Sequence, residues 1–386
     1  VIFVPSEIEL TVQLEPVTPL HVSSNRESII GIDAILEGNQ VVFIDLENSI
    51  KDLDPNILER IMNIESAKEK LYRLVEILRG EGKLKPLFKA VAKAKLSNGA
   101  RVRLMQKTIV PGSTLKGYIR TAILYELLRK TIDEKIKEIL SQEKIKENIS
   151  KDPRKAAQDL ENYLLRTRRR PEQGGYVDAF ANLTVSDPVV ERYELAVREM
   201  RVIKRDTEKV IAKIFMVTLE SGLLRYDIRI SRPLNIEKIV VQDDVRSMMQ
   251  DILKSLGLIM EIIKGNPSDL LRILREYGCR HLREEINRLG RSSIYQVYIN
   301  KLEELDKLCT SSIGLTSCAP ARIGFGAGHE AKTIALYLKD VHPDLYKILR
   351  IEMSKKIKRT WDSLTLKAVT EDKSLVGVGW CRICIA

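Results

Sequence analysis

The stretch at residues 100–128 reads ARVRLMQKTIVPGSTLKGYIRTAILYELL. Its first part, residues 100–110, alternates apolar and polar side chains as a half-buried strand does. Pro111 and Gly112 then make a turn, and Ser113 or Thr114 is placed to cap a helix. Leu115, Ile119, Ala122, Ile123 and Leu127 recur at helical spacing and form an apolar face. Lys116 and Arg120 lie four apart on another face, near the helix start. Cations there oppose the positive end of the helix dipole, and an anion held between them would remove the conflict. The bland alternative is a solvated basic face.

A second stretch, RIGFGAGHEAKTIALYL at residues 322–338, alternates glycines at Gly324, Gly326 and Gly328. Ile334, Tyr337 and Leu338 are spaced to share one face of a helix that follows. A glycine-rich loop feeding a helix presents N–H groups and a positive dipole end to phosphate, and Arg322, His329 and Lys332 flank it with side-chain donors. The common nucleotide loops do not fit. The third glycine comes one residue early for G-x-G-x-x-G, and Ala331, not glycine, precedes Lys332 and Thr333. The alternative is a loop whose glycines only permit close packing.

Outward from these stretches, residues 7–14 alternate as a strand, and residues 29–35 and 40–46 read as two more across a Gly38-Asn39 turn. Residues 55–79 read as helix, and residues 130–165 as a Lys/Glu-rich helical insertion. The run RTRRR at residues 166–170 makes a basic loop in which Arg168 and Arg169 are candidates for phosphate contact. Residues 181–190 read as a strand ending at Ser186-Asp187-Pro188, and residues 210–220 and 223–230 as a hairpin across Ser221-Gly222. Helices dominate residues 243–308, and residues 376–385 form a last strand. Strands that turn on hairpins and alternate with helices suit an α+β, ferredoxin-like sheet. The expected division is an N-terminal domain over residues 1–235, with helical insertions near 50–95 and 126–172. A mostly helical C-terminal part over residues 236–386 carries the glycine-rich loop.

A formal net charge of +11 over 386 residues implies a polyanionic partner, whether RNA, DNA or a membrane surface. Charged residues are 30% of the chain, with Lys, Glu, Arg and Ile frequent, the composition of heat-adapted proteins. No apolar run is long enough to span a bilayer, and the first residues lack the basic start of a signal peptide. Five cysteines, an odd number, point to a reducing cytoplasm. Cys381 and Cys384 form a lone C-x-x-C, and without a second pair they read as buried or edge thiols, with no metal or cofactor implied. Aromatics are only 5%, so stacking platforms are few; Tyr118, Tyr176 and Phe325 are the candidates, with Phe325 equally a plug for its loop.

Three segments together carry a resemblance. PGSTLKGYIRTAILYELL, from Pro111, resembles the PGSSLKGxxR segment of the RAMP superfamily of CRISPR proteins. RIGFGAGHEAKT is similar to that superfamily's C-terminal glycine-rich loop. LEPVTPLHVSS, residues 14–24, resembles its first strand and following turn, which places His21, Ser23 and Ser24 among the candidate RNA contacts. The chain departs there, with Ser23-Ser24-Asn25 where a glycine is usual. Within the superfamily, the fifth, 3′-end-capping subunit of the type III-A Csm complex is most similar. The resemblance implies an RRM-like fold and a non-catalytic subunit that caps the 3′ end of the CRISPR RNA and contributes to its maturation. Its partners would be CRISPR RNA, the other Csm subunits, especially the backbone subunits, and target RNA. Gly112, Ser113, Thr114, Lys116 and Arg120 would hold RNA at one helix start, and Gly324, Gly326, Gly328, His329 and Lys332 at the other. The alternative within the superfamily is a metal-independent endoribonuclease that cuts CRISPR repeats, with His21 or His329 as base. A third reading is a basic structural protein whose glycine loop binds a mononucleotide.

Overall fold

The chain opens on β1 (Glu7–Pro16), where Leu10, Val12 and Leu14 are buried at alternate positions. The computed structural model describes residues 7–51, 53–106, 109–130, 138–141, 143, 147, 166–168, 176–178, 180, 183–205, 207–231, 267–290, 292–311, 317–356 and 365–386. After β1 come β2 (Ser23–Ile29), β3 (Ala34–Glu37) and β4 (Gln40–Ile44). The last two turn at Gly38, whose φ is +58°. Three helices follow, α1 (Leu46–Ile50), α2 (Pro55–Met62) and α3 (Ala67–Gly80), each capped by a side chain, Asp45, Asp54 and Ser66. The expected helix over residues 55–79 is therefore two, because Ser66 caps a new start.

Strands β5 (Pro86–Ala92) and β6 (Arg101–Met105) lead to α4 (Gly112–Lys130). Next are β7 (Arg166–Arg168) and β8 (Tyr176–Asp178), which pair as a separate ribbon, then β9 (Leu183–Val185), β10 (Val189–Lys204) and β11 (Val210–Ser231). The C-terminal part holds α5 (Pro267–Leu289), α6 (Gln296–Thr310), β12 (Cys318–Arg322), α7 (Ala335–Val341) and α8 (Pro343–Lys356). It closes with β13 (Thr365–Glu371), β14 (Ser374–Gly377) and β15 (Trp380–Ile385). Most of the Lys/Glu-rich insertion, Arg169 and the helices expected over residues 243–266 lie outside the described residues.

Among the described residues, thirteen strands form one sheet whose main path runs β12-β15-β1-β11-β10-β5-β4-β3. Its spine is β11, which pairs with β10 from Val210 to Arg225 and with β6 at Phe215 and Met216, and then with β1 from Leu224 to Ser231 and with β9 from Ile228 to Ile230. The hairpin expected at Ser221-Gly222 does not form. The strand runs through, and a register shift against Glu194 of β10 marks a bulge there. Gly222 has φ +152°, and a Cβ on it would lie 2.8 Å from the Arg192 carbonyl oxygen. Glycine is needed for a bulge against a close neighbour strand, not for a turn.

The sheet also crosses the expected boundary at residue 235. The last strand, β15, pairs with β1 from Val12↔Ile385 to Pro16↔Cys381, and with β12 on its other side. The single strand expected over residues 376–385 is two, broken at Gly379 with φ +99°. Helix α4 is buried from Tyr118 and Ile119 through Ala122 to Leu128, packed against β9, α5 and α7. A helix covered on so much of its circumference has its accessible surface confined to its ends.

Four cysteines pair, which corrects the expectation of free thiols. Cys279–Cys309 ties α5 to α6, and Cys318–Cys384 joins facing residues of β12 and β15, leaving Cys381 as a buried thiol. The partners are 30 and 66 residues apart, and sequence alone does not give connectivity. Among the described residues, no helix is long and apolar enough to cross a membrane.

Candidate nucleic-acid interface

The start of α4 is clamped before any ligand is considered. Tyr226 of β11 donates its hydroxyl to the Val110 carbonyl at 2.8 Å. The Gly112 N–H donates to Asp187 Oδ1 at 2.9 Å, and a Cβ at Gly112 would lie 2.1 Å from the Ser186 carbonyl oxygen. Ser186 is itself fixed to β11, since its hydroxyl accepts from the Asp227 N–H at 2.9 Å. Gly112 is thus a packing glycine, and the first helical amide already has an acidic partner from the chain itself, as the helix dipole favours. Ser113 is exposed, while Thr114, Lys116 and Arg120 are half-buried on the part of α4 that reaches the surface. The Arg120 guanidinium lies 5.5 Å from the Phe180 ring centre.

Beside this helix start is a cleft of about 1120 Å³, lined in part by Ser24, Arg26, Leu104, Ser113, Asp187 and Tyr193. The turn that carries Ser24 and Arg26 is held by its own hydroxyls. Ser23 Oγ accepts from the Asn25 N–H at 3.1 Å, and Ser24 Oγ accepts from Arg26 at 3.3 Å while donating to the Leu104 carbonyl at 3.0 Å. Asn25 has φ +60°, so asparagine fills the left-handed position where the resemblance leads one to expect glycine. Tyr193 is half exposed, and Leu87 more so, giving the cleft an aromatic and an aliphatic surface.

His21 and the glycine-rich loop come together beside Val217 of β11. The Phe325 N–H donates to the His21 carbonyl at 2.8 Å, and the two rings meet edge to face at 6.0 Å. Gly324, with φ +76°, passes so close that a Cβ would lie 2.4 Å from that same carbonyl oxygen. A Cβ at Gly326 would lie 2.2 Å from the Val378 carbonyl oxygen. These two glycines therefore lock the loop to the first and last parts of the chain. Gly328, also at φ +76°, is exposed with nothing near its Cβ direction. His21 is buried, and its Nδ1 donates to the Val217 carbonyl at 2.6 Å. Burial pushes its pKa down, helped by Arg103 and opposed by the Val217 bond, so the ring is neutral near pH 7.

Several expected contacts are corrected by these positions. Arg322 is buried with its guanidinium 3.0 Å from Glu285 and 5.4 Å from the Trp380 ring centre, so it belongs to the core and not to an RNA surface. Tyr118 is buried and donates to the Pro320 carbonyl at 3.2 Å, which removes it as a stacking platform. Phe325 packs against the second core cluster with Lys367 Nζ 5.2 Å from its ring centre, the plug alternative. The helix expected straight after the glycines begins only at Ala335, so no helix dipole is aimed at Gly324, Gly326 or Gly328. Arg168 lies in β7 opposite Tyr176.

What remains at the loop is a cationic corner. Lys332 is exposed and His329 half-buried, its ring parallel to Tyr346 at 6.4 Å. Lys367 of β13 adds a cation that the sequence reading missed. Burial lowers its pKa, and the like charges of Arg322 and Lys332 lower it further. An arriving anion would relieve that repulsion. Arg26 and Tyr193 were missed too. The signal for Tyr193 was a tyrosine set between Arg192 and Glu194 in a strand that had not been recognised.

This arrangement can be set beside solved structures. No family model matches the chain, and no curated protein sequence does. The crystal structure of Csm5 from T. onnurineus matches over 96% of this chain and 99% of its own, with 17% identity and a TM-score of 0.56. The chain has the fold of Csm5. A chain in the cryo-EM structure of a Csm–crRNA–target RNA ternary complex from a type III-A CRISPR-Cas system is also similar. It matches over 98% of this chain and all of its own, at 20% identity and a TM-score of 0.68. The α+β, RAMP-like fold expected from the sequence is the fold observed, and the Csm5-like architecture runs through both the N-terminal strands and the C-terminal part.

Proposed function

We propose that this chain is a non-catalytic CRISPR RNA-binding subunit of a type III-A Csm complex. It caps the 3′ end of the guide, contributes to guide maturation, and works in the cytoplasm. The observation that carries the reading is the cleft at the α4 start, where Arg26, Ser24 and Ser113 surround an exposed Tyr193. Cations and hydroxyls for phosphate next to an aromatic face for a base are the parts that single-stranded RNA binding uses. Lys116 and Arg120 extend the basic surface along α4, and Lys332, His329 and Lys367 form a second anion-binding corner at the glycine-rich loop. The near full-length likeness to a chain in an RNA-bound Csm complex supports backbone subunits, CRISPR RNA and target RNA as partners.

The non-catalytic part of this reading is tested by incubating the chain with repeat RNA without metal: a general base must come within hydrogen-bond reach of its proton, and cleavage abolished by His21→Ala or His329→Ala would favour the endoribonuclease. Fluorescence anisotropy with a labelled guide 3′ segment tests the reading. Tyr193→Ala should weaken binding by about tenfold, since stacking on one base is worth about 1–3 kcal/mol. Unaltered affinity in a folded Tyr193→Ala protein would remove the cleft from the RNA path. Csm complexes assembled without this chain should carry guides with altered 3′ ends, read by sequencing.

A further inference from the structure

The three glycines of the loop at residues 324–328 serve different ends. Gly324 and Gly326 are demanded by close backbone contacts, whereas Gly328, at φ +76°, is exposed with nothing in its Cβ direction. Glycine there leaves the backbone open to an approaching ligand. Loop carbonyl oxygens, which would repel an anion, are turned to donors of the chain itself. The Gly324 carbonyl accepts from the Ala327 N–H at 3.4 Å. The His329 carbonyl accepts from the Lys332 N–H at 3.1 Å and the Thr333 hydroxyl at 2.8 Å, and the Glu330 carbonyl from the Tyr277 hydroxyl at 3.0 Å.

The charges around this loop do not balance. Lys332 is exposed, and Lys367 of β13 is half-buried with its Nζ 5.2 Å from the Phe325 ring centre. Among the described residues, no carboxylate pairs with either lysine. Glu330, in the loop itself, is buried and committed: Arg288 reaches its two oxygens at 2.6 and 2.7 Å, and Tyr346 donates to it at 2.6 Å. Glu371, on the strand of Lys367, holds Lys301 at 2.8 Å. Arg322 is matched by Glu285 at 3.0 Å. Two ammonium groups are left uncompensated and close enough to repel each other, on top of the burial that already disfavours the Lys367 charge. An arrangement that works against itself in the free protein points to a ligand that completes it.

We propose that this corner takes a phosphate monoester, the terminal phosphate of an RNA chain, in preference to the diesters within it. The inference rests on the RNA-binding reading above and names the end group that the second corner receives. A monoester carries a charge of about −1.5 to −2 at pH 7 and three acceptor oxygens, which matches two lysines. A diester carries a single charge and would leave one lysine unmatched. The bare backbone at Gly328 lets the oxygens come close.

Anisotropy with the purified full chain compares one internally labelled guide 3′ segment in three forms: with a 3′-phosphate, with a 5′-phosphate, and with hydroxyls at both ends. AMP is titrated separately by calorimetry. One phosphorylated form should bind about tenfold more tightly than the hydroxyl form, and which one does so names the RNA end. The preference should vanish in Lys332→Gln and in Lys332→Gln/Lys367→Gln, each checked for an intact thermal transition. Tyr193→Ala should weaken all three forms and keep the preference. If the double variant fails to fold, Lys332→Gln, at an exposed position, decides alone. Equal affinity of the parent for all three forms overturns this proposal and leaves the RNA-binding reading standing, whereas no binding of any form overturns both. A preference unchanged in the folded variants places the end group elsewhere and overturns the proposal too. So does AMP binding that Lys332→Gln abolishes without any preference among the RNA forms, which would make the corner a mononucleotide site.

Discussion

Replacing Arg322 with Met separates two accounts of the same residue. Sequence motifs place Arg322 beside a phosphate cradle, whereas the fold places it in a buried cluster. Glu285 is fully buried and receives Arg322 at 3.0 Å, Arg205 at 2.7 Å and the Tyr298 hydroxyl at 2.9 Å. Trp380 Nε1 completes the cluster by donating to the Tyr298 oxygen at 2.9 Å. Breaking a buried ion pair from one side costs about 3–5 kcal/mol, because the remaining charge is left buried. Arg205 stays on Glu285 in the variant, so the lower end, about 3 kcal/mol, is expected. Burial alone would raise the Glu285 pKa, but Arg322 and Arg205 overcome it and hold the carboxyl well below the usual range. A carboxyl held low in the folded state adds stability above the unfolded pKa of about 4.3 and loses it as pH falls. Arg322→Met should therefore also flatten the acid side of the stability profile. The assay is urea unfolding at several pH values, with RNA affinity measured under conditions where both proteins are folded. Stability within about 0.5 kcal/mol of the parent, together with a tenfold loss of RNA affinity, would put Arg322 on the RNA and refute the core assignment.

Removing Lys116 and Arg120 together should flatten the salt dependence of RNA binding by about 1.4 in log–log slope, the release expected for two phosphates on a single strand; an unaltered slope takes both off the RNA. Gly326→Ala sets a Cβ 2.2 Å from the Val378 carbonyl oxygen and should cost about 1–3 kcal/mol in urea unfolding, as a forced backbone shift does. Alkylation of the unfolded, unreduced protein should label Cys381 alone, and all five cysteines after reduction, read by mass. Burial, reinforced by Arg322, pushes the His281 pKa down to about 3. The unfolded chain then takes up that proton first, and stability is lost as pH falls from about 6.5 toward 3. A His281→Gln protein should show a pH slope smaller by about 1.4 kcal/mol per unit in that window, measured by urea unfolding.

The strand, turn and helix of residues 100–128 were legible because local chemistry decides them. Alternation, a Pro-Gly turn and helical spacing act over a few residues. The β3–β4 hairpin was legible for the same reason. Ser221-Gly222 misled because the same dipeptide serves a turn or a bulge, and the choice rests on β10, which pairs across both halves of β11. The strand β10 itself was hidden, since its exposed first half mixes charges with Val189 and Tyr193 instead of alternating cleanly. The glycines of residues 324–326 stand out in the sequence, but what they approach, the His21 and Val378 carbonyls, lies about 300 and 50 residues away, beyond any local pattern. Arg322 shows the same limit: nothing near it in sequence announces Glu285. The site was legible where motifs mark backbone turns, and illegible where tertiary packing decides which side chains reach the surface.

The most direct test of the central claim is to purify the tagged chain from its own cells and sequence the RNA that comes with it. The account predicts short RNAs carrying spacer sequence, recovered together with the other Csm subunits and with uniform 3′ ends. Repeat fragments recovered with the chain alone would contradict it in favour of an endoribonuclease, and no RNA at all would contradict both.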